Sequence, residues 1–132
     1  MALLCPWVLF LFVGALDWGF YAYSMISVET AARSAAAAIV AQAATTPATT
    51  AINSTDACNT VLAELSTLTN VGTSVTACNA APVVVSASQI TNVDGATAVQ
   101  VALTYTTPQL IPIPGLLAGQ FTITRVVKMR FS

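Results

Sequence analysis

The chain has 132 residues, of which 56% are hydrophobic and only 7% are charged, with a formal net charge of -1 and no histidine. This length fits one small domain plus a further segment, and so low a charge means that lipid or protein must cover much of the surface. The absence of a basic cluster leaves no electrostatic footprint for nucleic acid.

The residues also argue against a chemical site. Without histidine there is no Ser-His or Cys-His nucleophile and no His-containing metal site. The five acidic residues are scattered, with no recognisable acid-base pair or calcium-loop spacing. We therefore expect no enzymatic activity, no cofactor and no bound metal.

The composition of residues 1–46 predicts one long hydrophobic and alanine-rich helix. Residues 2–16 are apolar on every face, so this half must lie in lipid or in a bundle of its own kind. Residues 21–42 are small or mildly polar, which is typical of a helix that packs closely against others. A helix of this length spans roughly 65 Å, about twice the hydrocarbon thickness of a bilayer, so we expect it to project beyond the membrane.

Three charged residues of this helix are candidate assembly contacts. Asp17 either marks the end of the lipid-embedded part, since aromatic residues follow it, or pairs with a group on a neighbouring subunit. Glu29 and Arg33 lie four residues apart with the acid first, which fits an intrahelical salt bridge or an intersubunit contact. No Lys or Arg precedes the apolar block, so we expect a processed product or a start upstream of Met1.

Residues 47–132 predict an extracytoplasmic globular head. Thr and Pro residues end the long helix and begin a linker, and Ser54 or Thr55 caps a second helix that ends before Val71. Cys58 and Cys78 predict a disulfide, because no histidine is present to complete a zinc site. A disulfide places the head in an oxidising compartment outside the cytoplasm.

Further along the chain the hydrophobic period changes to two, which predicts antiparallel strands at residues 83–91, 97–106 and 120–131. A turn signal at residues 92–95 separates the first two strands. One face of the second strand carries four apolar residues, so the sheet has one covered side; they are Val99, Val101, Leu103 and Tyr105. Arg125 falls on the apolar side of the last strand and needs an acceptor, which we expect at a sheet end.

Residues 107–119 predict a proline-stiffened loop that is more apolar than a solvent-facing loop should be. We expect Leu110, Ile111 and Ile113 to be covered, either by the core of the same domain or by an adjacent subunit. The expected fold class is therefore α+β, with a long N-terminal helix followed by a small head that contains a short helix and an antiparallel sheet.

Motifs at both ends of the chain resemble one family. Pro6 in an apolar block, then Gly14-Ala-Leu-Asp17-Trp-Gly19 and Ala31-Ala-Arg33-Ser-Ala35, look like the N-terminal helix of TadE-like pseudopilins. These proteins belong to the tight-adherence (Tad) pilus machinery, a branch of the type IV pilin superfamily. Thr104-Tyr-Thr-Thr-Pro108, the apolar loop and the closing strand are similar to that family's C-terminal hairpin, whereas the middle of the chain has no match.

The resemblance implies a structural subunit of an extracellular filament that serves surface attachment. Such subunits enter the inner membrane by the helix, are trimmed by a prepilin peptidase, and are stacked by the pilus assembly machinery into a homo-oligomer with the helices at its core. The glutamate that the family carries near its mature start would fall just before Met1. The resemblance therefore implies an internal starting methionine or an unusual processing site.

Two other hypotheses fit the same residues. A membrane-anchored periplasmic scaffold or assembly factor of a pilus or secretion system would keep the helix without polymerising. A secreted binding domain behind a signal peptide would be cleaved in the alanine tract, which predicts a mature N-terminus between residues 34 and 37.

Overall fold

The computed structural model describes residues 4–45, 52–72, 74–108 and 121–130. Two helices precede four strands, and the fold class is α+β, as the sequence predicts. The elements are α1 (Leu4–Thr45), α2 (Ser54–Leu65), β1 (Asn79–Ala80), β2 (Val83–Thr91), β3 (Thr97–Thr106) and β4 (Thr122–Arg130).

Helix α1 is continuous over 42 residues, which corresponds to about 63 Å. Gly14 and Gly19 each weaken a helix by about 1 kcal/mol relative to alanine, yet neither interrupts it. The leucine-rich and alanine-rich segments around the two glycines have high helix propensity. The rod expected from the sequence is therefore present over the part of it that the structure describes.

The N-cap of helix α2 lies one residue before the first residue predicted to cap it. Asn53 is the N-cap, and its Oδ1 accepts a hydrogen bond from the Thr55 backbone N–H at 3.0 Å, so the expectation that Ser54 or Thr55 caps the helix was wrong. The helix ends at Leu65, and Ser66 turns its hydroxyl back to the Ala63 carbonyl at 2.7 Å. Serine and threonine side chains compete in this way for local backbone groups, so the chain continues as turns.

The four strands form one antiparallel sheet in the order β1-β2-β3-β4. The predicted strands at residues 83–91 and 97–106 are confirmed as β2 and β3. Their register runs from Val83 opposite Tyr105 to Thr91 opposite Thr97. The turn between them requires Gly95, which has a φ of 75°, a conformation that glycine adopts without strain. Strand β4 lies at one edge of the sheet.

The core lies between the inner face of the sheet and the two helices. The four apolar residues of β3 that the sequence assigns to one face are fully buried, and α1 contacts α2, β3 and β4. Helix α1 contributes a stripe of small and β-branched side chains, namely Val28, Ala31, Ala32, Ala35, Ala36 and Ile39. Because alanine projects so little, the helix axis can lie close to both of its neighbours.

Cys58 and Cys78 form the expected disulfide, with a Cα–Cα distance of 5.7 Å. The bond joins α2 to the segment that leads into β1, across a sequence separation of 20 residues. Closing a loop of this length stabilises the folded state by about 3 kcal/mol in the chain-entropy model.

A buried polar network joins the turns after α2 to the end of β3. The Tyr105 hydroxyl donates to Asn70 Oδ1, and Asn70 Nδ2 donates to the Thr106 carbonyl at 2.8 Å. Burial raises the pKa of the Tyr105 hydroxyl above 10.0, and the hydrogen bond to Asn70 lowers it by a smaller amount. The native head therefore holds this proton more tightly than the unfolded chain does.

This network predicts a loss of stability in alkali. Because the folded pKa of Tyr105 is the higher one, its contribution is fully present below about pH 10 and is lost as the pH rises through the folded pKa. The Tyr105→Phe variant should lose about 1 kcal/mol at neutral pH, since Asn70 Oδ1 loses its donor, but should show a shallower alkaline decline. Thermal unfolding of the full chain in detergent, followed by near-UV circular dichroism across this pH range, tests the prediction. An equally steep decline in the variant would assign the effect to another group.

Candidate assembly surface

The first half of α1 is an apolar surface that the described parts of the head do not cover. Its large side chains are exposed, namely Leu4, Trp7, Val8, Leu9, Phe10, Leu11, Phe12 and Leu16. By length and composition, α1 is a helix that can cross a membrane, with a candidate span of Leu4–Ala43. Such a surface requires an apolar environment, from lipid or from other protein chains.

The second half of α1 has two different faces. The alanine stripe that the sequence assigns to close helix packing lies against the chain's own α2 and sheet. The opposite face remains exposed, for example at Ala37 and Ala41. Sequence composition indicated close packing correctly, but it did not identify the chain's own head as the partner, because that choice depends on contacts between distant residues.

Aromatic contacts fix the point at which the head meets the helix. The rings of Tyr21 and Phe121 meet edge to face, with centroids 4.8 Å apart. The Tyr23 hydroxyl lies 3.2 Å from the Thr67 hydroxyl in the turns after α2. The head therefore holds α1 from about Tyr21 onward and leaves the preceding apolar block projecting.

Asp17 lies at this junction. It precedes Tyr21 by about one helical turn, so the two residues share a face of α1, and only 6% of Asp17 is exposed. No residue in the described ranges donates a hydrogen bond to its carboxylate or forms an ion pair with it. A carboxylate with so little access to water normally has a partner, and the described ranges supply none to Asp17.

Glu29 and Arg33 form an ion pair within α1, with Arg33 Nη2 lying 2.5 Å from Glu29 Oε1. The intrahelical salt bridge that the sequence allows is therefore present. Both side chains are about half exposed or more, so the pair stabilises the helix by only a few tenths of a kcal/mol. The pair also lies beside β4, where both of its residues line a groove.

A groove of about 460 Å³ lies between this ion pair and β4. It is lined by Glu29, Arg33, Arg125, Val126, Val127 and Lys128. Three of these side chains are cationic and one is anionic. Because Glu29 already pairs with Arg33, the groove has an excess of positive charge.

Arg125 lies away from the sheet end at which the sequence led us to expect its acceptor. It pairs with Leu103 in the middle of the β3–β4 ladder, and its buried Nε has no hydrogen-bond partner among the described residues. The expected placement was wrong because α1 covers the inner face of β4 here, which the strand pattern alone cannot show. The sequence signals at this groove were the spacing of Glu29 and Arg33 and the position of Arg125 on the apolar side of its strand, whereas Lys128 gave none.

The other predicted site residues lie elsewhere. The Cys58–Cys78 disulfide belongs to α2 and the approach to β1. Leu110, Ile111 and Ile113 lie outside the described residues, so their expected covering stays a prediction. Within the described ranges, no group of three or more His, Cys, Asp or Glu residues is arranged to hold a metal ion.

Residues 1–37 match the family model of TadE-like proteins. The N-terminal region of this chain is TadE-like. The match associates the chain with the Tad pilus, and the TadE-like family is in general not enzymatic. No curated protein and no solved structure matches the chain.

The TadE-like segment coincides with specific parts of the structure. It includes the exposed apolar block, Asp17, the Glu29–Arg33 pair and the first four alanines of the buried stripe. It ends at residue 37, inside α1. The matched region is thus the projecting rod together with the part of the rod on which the head is mounted.

The same substitution should destabilise the chain on one face of the second half of α1 and have no effect on the other. Ala35→Leu should destabilise the full chain by about 1–3 kcal/mol, because Ala35 is fully buried against the head and a larger side chain overpacks the core. Ala37→Leu is the matched control, since Ala37 is exposed on the single chain. Melting temperatures in detergent should therefore fall for the first variant only. Equal melting temperatures for both variants would contradict the packing described above.

Proposed function

We propose that the chain is a structural subunit of an extracellular Tad-type pilus that polymerises through its TadE-like helix and contributes to surface attachment. The observation that carries the proposal is the division of α1. Its second half is built into the head, whereas the large apolar side chains of its first half are exposed. A helical polymer with buried helices and outward heads covers this surface.

The apolar block fits two successive environments. Burying each large side chain contributes roughly 1.5–3 kcal/mol relative to water, so the block has to be covered at every stage. The inner membrane covers it before assembly, and the helices of neighbouring copies cover it afterwards. Moving from lipid to a filament core exchanges one apolar environment for another, so hydrophobicity alone gives this step little driving force.

Polar contacts between subunits must therefore favour the filament over the membrane-embedded state. Asp17 is our first candidate, because its carboxylate is nearly inaccessible to water and has no partner in the described part of the chain. We assign it a cationic or hydrogen-bonding partner that assembly supplies. Glu29 and Arg33, which face the groove, are the second set of intersubunit candidates. Leu110, Ile111 and Ile113 are the apolar set.

The disulfide and the core both support this reading. A disulfide between Cys58 and Cys78 suits an oxidising, extracytoplasmic compartment. Cleavage between residues 34 and 37, as for a secreted domain, would remove Val28, Ala31 and Ala32 from the core. Retention of the whole helix is therefore favoured over its removal. Further partners of the chain in this proposal are the prepilin peptidase and the pilus assembly machinery.

The first test is to shear the native cells without detergent and to examine the released material by electron microscopy and peptide mass analysis. Filaments that contain a peptide from residues 1–33 are expected, because the apolar helix would then be retained inside a polymer. Release of the intact chain only by detergent would instead favour the membrane-anchored periplasmic scaffold that does not polymerise. A head that begins near residues 34–37 would favour the secreted domain.

Asp17→Asn should lower the yield of sheared filaments while leaving the subunit folded in the membrane. The amide keeps the size of the carboxylate but removes its charge, so a cationic partner in the polymer loses most of its interaction. Glu64→Gln is the control, because Glu64 is an exposed carboxylate on α2. Filament yields of both variants are compared by immunoblotting of sheared fractions. A wild-type yield for Asp17→Asn would remove Asp17 from the assembly contacts.

A further inference from the structure

We infer that the groove between α1 and β4 receives the tip of the β2–β3 hairpin from a second copy of this chain. The inference rests on the proposed function and names the contact between heads that would accompany helix packing. It also identifies the chemistry of each side. The groove supplies two cations that have no ion pair within the described ranges, beside valine side chains. The hairpin tip supplies a carboxylate beside an exposed valine.

The groove follows the outer edge of the sheet. Side chains from both faces of β4 line it: Val126 and Lys128 are outward and exposed, whereas Arg125 and Val127 are inward and partly buried. A cavity that both faces reach lies along the edge of the strand, and among the described strands β4 has no neighbour on that side. A lysine on an edge strand prevents unselective pairing with strands of other chains. Because Lys128 is positively charged, this edge favours a partner that carries negative charge.

The positive charge of the groove is not neutralised within the described part of the chain. The ion pairs there are Glu29–Arg33 and Asp94–Arg130, which leaves Arg125 and Lys128 without one. The buried Nε of Arg125 also has no acceptor among the described residues. A carboxylate in the groove would place its charge beside Arg125 and Lys128, neither of which has an ion pair among the described residues, and hydrogen bonds to charged groups are stronger than neutral ones.

The hairpin tip carries the complementary groups. Val93 is fully exposed and Asp94 is mostly exposed. The tip is held by two backbone hydrogen bonds of 2.9 Å, from Asn92 N–H to the Ala96 carbonyl and from Gly95 N–H to the Asn92 carbonyl. Because the tip is already ordered, it loses little conformational entropy on binding. The internal Asp94–Arg130 pair is 3.8 Å long and exposed, so exchanging it costs little.

Helix α2 is the less favourable source of the carboxylate. Asp56 and Glu64 also bear negative charge, but no large apolar residue of α2 is exposed in the described structure. Of these described carboxylates, Asp94 at the hairpin tip is the one that adjoins an exposed valine, which matches the cations and valines of the groove. We therefore assign the tip rather than α2.

The contact is heterologous, because the tip and the groove are different surfaces of one head. Each copy offers one of each, so the contact can repeat from copy to copy without closing into a dimer. This is the symmetry that a helical filament needs.

Disulfide trapping tests the contact directly. In a Cys5→Ser background, Val93→Cys and Val126→Cys replace two exposed valines with thiols that would lie close together only between copies. Mildly oxidised sheared filaments of this double variant should give a ladder of dimers, trimers and longer species on a non-reducing gel, and reductant should collapse the ladder. Each single variant should give no ladder. Val93→Cys with Val84→Cys is the matched control, because Val84 is exposed on β2 and does not line the groove.

The outcomes separate this inference from the proposed function. If wild-type cells release no filaments, the proposed function fails. If wild-type filaments form but the Val93/Val126 variant gives no ladder, or the Val84 control gives the same ladder, the hairpin contact is overturned while the filament stands. Dimers without longer species would show a closed contact and would also overturn it.

A charge exchange gives an independent readout. Lys128→Glu should reduce the filament yield, and Asp94→Lys added to the same chain should restore it. Glu64→Lys added instead should not. Restoration by Glu64→Lys alone would identify α2 as the occupant and overturn the assignment. Melting temperatures of the detergent-solubilised variants verify that each subunit is folded.

Discussion

The packing of a smooth alanine stripe against the head is the constraint on which the structure depends. Because Ala31, Ala32 and Ala35 project so little, α1 can lie close to α2 and to the inner face of the sheet at the same time. The second half of the helix is therefore a component of the head's core rather than a tether. The apolar first half continues the same rigid rod, so any rotation of that rod about its axis also rotates the head.

This rigid connection matters because the apolar block itself carries little directional information. Its side chains are large and apolar on every face, and such a surface is compatible with lipid and with several arrangements of neighbouring helices. Groups without a partner among the described residues are better able to select one arrangement. Asp17 at the junction and Arg125 in the groove are two such groups, and they lie at different heights along α1. Partners at both heights would fix both the position of a neighbouring subunit along α1 and its rotation about the axis of α1.

Local sequence information predicted the elements well where a single segment decides its own structure. β-Branched alternation on both sides of an Asp-Gly turn is sufficient to define β2 and β3, and the cysteine count in a chain without histidine is sufficient for the disulfide. Adjacent residues with similar capping ability, such as Asn53 and Ser54, cannot be ranked without the backbone geometry. The partners of Ala35 and Arg125 could not be predicted, because both depend on how α1 crosses β4, a contact between residues that are far apart in the chain.

The scarcity of charge makes the remaining charges more selective. The chain has only four basic and five acidic residues, so a cation in a subunit contact meets few alternative carboxylates. In a charge-rich surface a misplaced subunit can exchange one ion pair for another, whereas here it leaves a charge unpaired, and an unpaired charge in a covered interface is costly. In the proposed filament, the same low charge would therefore also restrict which arrangements of neighbouring subunits are stable. Because each copy in a helical polymer would use its contacts twice, once on each side, even a modest penalty per misplaced charge would be repeated along the filament.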